Sequence, residues 1–128
     1  EAAVKTGGKI IGVDLDQSAT IDEYEDGLTV TSAMKGLQVT IDNVLSAIKG
    51  GTWDAYAGEM ENLGLESANP EENYVQLPET TTQWDDNFTV DDYRDLVQRM
   101  YDGELTVSGD TTSFPETEIQ ATDYGSIK

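Results

Sequence analysis

Residues 9–18 read K-I-I-G-V-D-L-D-Q-S, and the fold of the first half of the chain is inferred outward from them. Residues 9–13 are mostly apolar and β-branched and follow two glycines, a pattern that predicts a short buried strand. Asp14 ends this strand, and an acidic loop continues from it as far as Gly27. The role of Asp14 and Asp16 at the strand end therefore bears directly on function.

Predicted strands and helices alternate along the chain. A second strand is expected at 28–31, and further short strands at 52–57, 74–77 and 105–107. A helix is predicted from about residue 33 or 37 to residue 49, because apolar residues recur there at helical spacing: Ile41, Val44, Leu45 and Ile48. A second helix is expected to begin after the N-cap Thr89 and to end at Gly103. This alternation predicts an α/β fold.

The composition limits the classes of function. A length of 128 residues predicts a single domain that can bury a core. The net charge of −19 disfavours nucleic acid and anionic membrane surfaces as partners. The chain has no cysteine and no histidine, which excludes disulfides, histidine-based catalytic triads and imidazole zinc sites. Any metal ion would need oxygen ligands, and no segment approaches the roughly 20 apolar residues of a membrane helix.

One interpretation of residues 14–25 is a calcium-binding loop of the EF-hand type. Oxygen-bearing side chains occupy the ligand positions of such a loop: Asp14, Asp16, Ser18, Thr20, Asp22 and Glu25. Ala19, however, stands where the sharp turn needs glycine, and neither flanking segment predicts a helix. A calcium-stabilised extracellular module is therefore one alternative function.

Two other interpretations concern the carboxylates themselves. Asp14 and Asp16 could act as a catalytic acid–base pair, but no second acidic cluster stands out as their partner, and we do not expect an enzyme. Alternatively, Asp14 lies at a ligand pocket, because loops at the carboxyl ends of parallel strands surround the ligand in open α/β sheets. A carboxylate there can accept two hydrogen bonds from the hydroxyls of a ribose or another sugar. The simplest alternative is that Asp14 only caps a turn.

The stretches GKIIGVDLDQS at 8–18 and LTVTSAMKGLQVTIDNVLSAIKGG at 28–51 resemble the basic membrane protein family. Its members are PnrA-like substrate-binding lipoproteins of ABC importers. The resemblance covers about residues 8–107, followed by an acidic variable tail at 108–128. It implies that residues 1–128 are the C-terminal portion of a two-lobed, Rossmann-like protein with a parallel sheet, the type I periplasmic-binding-protein fold. The irregular segment 78–88 and the tail exceed the family pattern.

The resemblance also implies a function and a set of site residues. A nucleoside, most naturally a purine nucleoside, would be captured between the lobes and delivered to an ABC transporter permease, without catalysis and without a cofactor. Asp14 would hold the ribose hydroxyls, Lys35 would point its cation into the same cleft, and Asp16 and Gln17 would lie beside the pocket. The alternative for Lys35, one of 7 basic residues, is a surface lysine that forms a salt bridge. The protein would be extracytoplasmic, attached to the membrane only by an N-terminal lipid anchor absent from this chain. A sugar-responsive regulatory domain of the same fold is a further alternative.

Overall fold

The computed structural model describes residues 1–110 together with residues 112 and 118, which form a small α/β arrangement around one three-stranded mixed sheet. Strands β1 (Ile10–Asp14) and β2 (Thr29–Lys35) pair in parallel, and β3 (Val75–Gln76) pairs antiparallel with β2. The strand order β1-β2-β3 places β1 at an open edge of this sheet. The α/β class is therefore confirmed, and the three predicted strands at these positions are present. The sheet is mixed rather than parallel, and β1, predicted to be buried, leaves Ile11 and Val13 66% and 56% exposed because no strand covers its outer edge among the described residues.

The helices in the described part of the chain are α1 (Ala2–Thr6), α2 (Ser18–Ile21), α3 (Leu37–Gly50) and α4 (Val90–Tyr101). Local chemistry explains the ends of the two long ones. Gly51 ends α3 with φ 73°, a left-handed conformation that glycine adopts without steric cost. Thr89 and Asp92 form a capping box at the start of α4, each side chain accepting the other's backbone N–H. Both helices lie where the sequence predicts them, and no helix among the described residues is long and apolar enough to cross a bilayer.

Two predicted strands are wrong. Trp53–Ala55 forms a short 3-10 helix, because the chain folds back at the end of α3 and the Thr52 N–H donates to the Ala47 carbonyl. Trp53 is 44% exposed there. Residues 105–107 pair with no strand among the described residues, and the Leu105 N–H donates to the Arg99 carbonyl near the end of α4. In both places, hydrogen bonds to the preceding helix replace the pairing that a strand requires.

Residues 78–88, irregular in sequence, connect α4 to the sheet. The Trp84 indole stacks on the ring of Tyr93 from α4, with centroids 5.5 Å apart, and its Nε1–H donates to the Glu79 carbonyl. The N–H of the preceding residue, Gln83, donates to the Val30 carbonyl of β2. Trp84 is therefore partly buried and packs within the chain. Most of the predicted tail at 108–128 lies outside the described residues.

The apolar stripe predicted for α3 faces largely outward. Ile41 and Leu45 are each 57% exposed, and Ile48 is exposed to a similar extent. The opposite flank of α3 contacts the molecule instead: Ala47 is buried, and the Asn43 amide donates to the Tyr74 hydroxyl. Helical periodicity identified the apolar face correctly, but it carries no information on whether another element covers that face.

A pair of alanine substitutions compares the exposed stripe of α3 with the buried core. Leu45→Ala is expected to lower the free energy of unfolding by less than about 1 kcal/mol, because over half of the residue already contacts water. Val97→Ala removes fewer carbon atoms but is expected to cost about 2 kcal/mol, because Val97 is only 6% exposed. Urea denaturation followed by circular dichroism measures both changes. A larger loss for Leu45→Ala than for Val97→Ala would show that the stripe is covered in solution.

Candidate functional site

Asp14 and Lys35 meet at the carboxyl ends of two neighbouring parallel strands. In the β1–β2 register, Asp14 lies opposite Met34, so Lys35 is the next residue along β2. The Lys35 Nζ lies 2.7 Å from the Asp14 Oδ1, and the two side chains are 65% and 58% exposed. The structure thus brings together the two residues that the resemblance assigned to one cleft, and it leaves both accessible to solvent.

The backbone at Asp14 adopts an unusual conformation. Its φ of 73° is the one positive value at a non-glycine residue within the described part of the chain. The Leu15 N–H donates to the Val13 carbonyl at 3.0 Å, which closes a three-residue turn around Asp14. Such γ-turns with positive φ are rare and strained, at a cost of about 1–3 kcal/mol, although aspartate tolerates them better than most residues. Strain of this kind, held at the end of a strand beside a charged partner, points to a functional position.

The Asp14–Lys35 pair contributes little to folding. An ion pair this exposed stabilises a protein by at most about 1 kcal/mol, since water screens it and two flexible side chains must be ordered. Its chemistry suits recognition better. The carboxylate accepts hydrogen bonds, the ammonium group donates them, and together they present no net charge to a ligand.

A groove of about 440 Å³ opens beside Lys35. Its lining combines apolar and polar groups from the turn after β1, from β2, from the first half of α3, and from β3 with the segment before it: Leu15, Met34, Leu37, Asp42, Glu71, Glu72 and Gln76. A mixed lining with a few charged groups is typical of sites for small polar molecules. A second hollow, of about 460 Å³, lies on another flank of α3 beside Ala47 and Tyr74, away from the strand ends.

Asp16 and Gln17, predicted beside the pocket, bond to the protein itself. The Asp16 carboxylate accepts the Ser18 N–H at 3.0 Å and the Thr81 hydroxyl at 2.8 Å. The Gln17 side-chain oxygen accepts the Val13 N–H at 3.2 Å, and the Gln17 N–H donates to the Ser32 hydroxyl at 3.1 Å. These bonds assign both residues a role in shaping the turn after β1.

The pKa of Asp16 reflects the same contacts. Partial burial by itself raises the pKa of this carboxyl, but the hydrogen bonds from Ser18 and Thr81 outweigh burial and hold the pKa below its ordinary value of 3.8. A lowered pKa means that the ionised form adds stability above about pH 4. That stability is lost as the pH falls through the pKa of the folded state.

Removing the Thr81 hydroxyl is expected to raise the pKa of Asp16 toward its ordinary value. Thr81→Val deletes the hydroxyl donor while keeping the size of the side chain, whereas Thr81→Ser retains the hydroxyl and serves as the matched control. An NMR titration of the Asp16 carboxyl carbon measures the change. Identical titration curves in Thr81→Val and the unmodified protein would contradict a bond between segment 78–88 and the turn.

The six ligands predicted for a calcium loop do not act together. Residues 18–21 form the helical turn α2, and the Asp22 carboxylate accepts both the N–H and the hydroxyl of Thr29 at 2.8 Å. A search of the described residues finds no group of three Asp, Glu, His or Cys side chains that could hold a metal ion. The arrangement of these side chains therefore does not support the calcium-loop interpretation.

No family model, curated protein or solved structure was found to match this chain. The assignment of a function therefore depends on the side chains at the ends of β1 and β2. The motifs at 8–18 and 28–51 add to it only as a resemblance.

Sequence reasoning missed two residues that shape the site, Gly12 and Ser32. They lie opposite each other in the β1–β2 register, and Ser32 is completely buried. A Cβ added at Gly12 would overlap the Ser32 hydroxyl oxygen. The sequence contains a signal for this contact, because Gly12 and Ser32 lie two and three residues before the charged residues that end β1 and β2. Only the register of the two parallel strands shows that Gly12 and Ser32 lie opposite each other.

Proposed function

We propose that this protein is the solute-binding component of an ABC importer and that it captures a nucleoside between two lobes of a type I periplasmic-binding-protein fold. The observation that carries the proposal is the exposed Asp14–Lys35 pair at adjacent ends of parallel strands, with a groove that Lys35 lines. The resemblance of residues 8–18 and 28–51 to the basic membrane protein family supports a nucleoside as the ligand. In this proposal the protein is a lipid-anchored extracytoplasmic component that delivers its ligand to a permease.

The chemistry of the pair favours a neutral ligand that carries a diol. The two oxygens of the Asp14 carboxylate accept hydrogen bonds from adjacent hydroxyls, as on a ribose. Lys35 balances the carboxylate charge and donates to a further oxygen of the ligand. Closure of two lobes around the ligand would then signal an occupied site to the transporter, with no bond made or broken.

Calorimetric titration of the intact natural protein with guanosine, adenosine and their 2′-deoxy forms tests the proposal. Both ribonucleosides are expected to bind. Each deoxy form is expected to bind at least about tenfold more weakly, because one hydrogen bond to a charged group is lost. Guanosine monophosphate should bind more weakly than guanosine, because its phosphate meets a strongly acidic protein.

The same titration separates the alternatives. Binding of free ribose in preference to any nucleoside would support the sugar-responsive regulatory domain instead. Absence of heat with every nucleoside up to millimolar concentration, from protein that remains folded, would overturn the proposal. Equal affinity for the ribose and deoxyribose forms would contradict the role of Asp14 as the diol acceptor.

A further inference from the structure

We propose that Gln17 and Ser32 are positioning residues, which hold Asp14 in its turn at positive φ and thereby keep its carboxylate beside Lys35. The expected effect on ligand affinity rests on the proposed function. The expected effect on the backbone of Asp14 does not, and it can be measured without any ligand.

The hydrogen bonds of Gln17 span the turn. Its side-chain oxygen accepts the N–H of Val13, the residue before Asp14, at 3.2 Å. Its own N–H donates to the Ser32 hydroxyl of β2 at 3.1 Å. Gln17, which follows the turn, is thus bonded both to the end of β1 and to the neighbouring strand. Since Ser32 lies three positions before Lys35 on β2, these bonds tie the Asp14 turn to the strand that carries its charged partner.

Close packing restricts where Gln17 and Ser32 can move. Ser32 is fully buried, and its hydroxyl occupies the space that a side chain at Gly12 would fill. An added Cβ at Gly12 would also lie only 3.1 Å from both the Cβ and the Oε1 of Gln17. The absence of a side chain at Gly12 therefore allows both polar groups to approach the backbone of β1. This enclosure leaves the Ser32 hydroxyl little freedom to move away from the Gln17 N–H.

The strained turn requires contacts of this kind. A residue held at positive φ relaxes to an ordinary conformation unless its surroundings over-determine it. The ion pair with Lys35 is exposed and too weak to serve that purpose. The bond from the Leu15 N–H to the Val13 carbonyl belongs to the turn itself and is lost when the turn opens. Asp14 also lies in register with Met34 of β2, and the Asp16 carboxylate bonds Ser18 and Thr81. The bonds made by Gln17 add a restraint that joins the residue before Asp14 to the chain after it and to β2.

NMR of the ligand-free protein tests the inference directly. The coupling between the amide and α protons of Asp14, with its Cα and Cβ chemical shifts, reports φ. In Gln17→Ala, Asp14 is expected to move to negative φ, and the Val13 amide to exchange with solvent at least about tenfold faster. Gln17→Glu keeps an acceptor oxygen and is expected to preserve both observables. Gln98→Ala, on the exposed face of α4, is the matched control and is expected to leave Asp14 unchanged.

Ligand titrations of the same variants distinguish positioning from direct contact. Gln17→Ala is expected to weaken nucleoside binding at least about tenfold, as loss of a supporting hydrogen bond does at other sites, whereas Gln17→Glu restores it. If Asp14 keeps positive φ in Gln17→Ala, the inference is overturned, and weaker binding in that case would identify Gln17 as a ligand contact. If Asp14 changes φ but the unmodified protein binds no nucleoside, the positioning role stands and the proposed function fails.

Ser32→Ala provides a second variant should Gln17→Ala not fold. It removes the acceptor of the Gln17 N–H while leaving the Gln17 side chain in place. Asp14 is again expected to leave positive φ, by the same coupling and chemical-shift measurements. An unchanged Asp14 in folded Ser32→Ala would overturn the part of the inference that concerns Ser32.

Discussion

Replacing Asn73 with alanine is expected to lower the free energy of unfolding by about 3 kcal/mol, because partly buried backbone groups lose their partners. Asn73 is only 2% exposed, and its amide group bonds the loop that precedes it. The Oδ1 atom accepts the N–H groups of Glu66 and Ser67, at 2.6 and 2.8 Å. The Nδ2 atom donates to the carbonyls of Ser67 and Asn69, at 3.0 and 3.1 Å.

Urea denaturation of Asn73→Ala measures this loss, and Asn87→Ala supplies the matched control. Asn87 is exposed, so its replacement is expected to change the free energy of unfolding by no more than about 0.5 kcal/mol. A loss below about 1 kcal/mol for Asn73→Ala would mean that water replaces the amide group at the loop.

The position of Asn73 also connects this loop to the candidate site. The Gly36 N–H donates to the Tyr74 carbonyl at 2.8 Å, and a Cβ at Gly36 would overlap the Asn73 carbonyl oxygen. Gly36 directly follows Lys35, so the loop ordered by Asn73 packs against the junction of β2 and α3. The groove beside Lys35 therefore depends on a loop that is distant in sequence.

Replacing Asp14 with alanine is expected to weaken nucleoside binding by about 2–4 kcal/mol, or about 30- to 1,000-fold in Kd. The variant removes both acceptor oxygens, so the ligand hydroxyls would be buried without partners. Asp86→Ala removes the same charge from an exposed position in segment 78–88 and is expected to leave the affinity unchanged. Calorimetry on the intact natural protein measures both variants. An unchanged affinity in Asp14→Ala would show that Asp14 does not hold the ligand.

Replacing Asp14 is expected to weaken ligand binding without lowering the free energy of unfolding. Asp14→Gly removes the same carboxylate, but glycine adopts a φ of 73° without steric cost. The free energy of unfolding of Asp14→Gly is therefore expected to be unchanged or raised, although the exposed ion pair is lost. Loss of binding without loss of stability would identify Asp14 as a residue retained for function. A decrease of more than about 1 kcal/mol in the free energy of unfolding of Asp14→Gly would contradict that conclusion.

The sequence predicted the two long helices well because their ends depend on neighbouring residues. Gly51 ends α3 and Thr89 begins α4 through contacts within a few positions of the chain. The strands predicted at 52–57 and 105–107 were wrong because a strand forms only where a partner strand is available, and local pattern does not report that partner. The same limit explains the exposed stripe of α3, whose periodicity was read correctly but whose burial depended on other elements.

For the candidate site, the sequence alone determined that Asp14 and Lys35 each end or closely follow a short apolar segment, and that histidine and cysteine chemistry is excluded. Only the tertiary structure decided that these segments are parallel neighbours in a register that brings the two charges into contact. It also decided that Asp16 and Gln17 turn back to the protein's own groups. The reason is physical: pairing between strands is non-local, and a polar side chain with several available partners is committed only when the chain around it is folded.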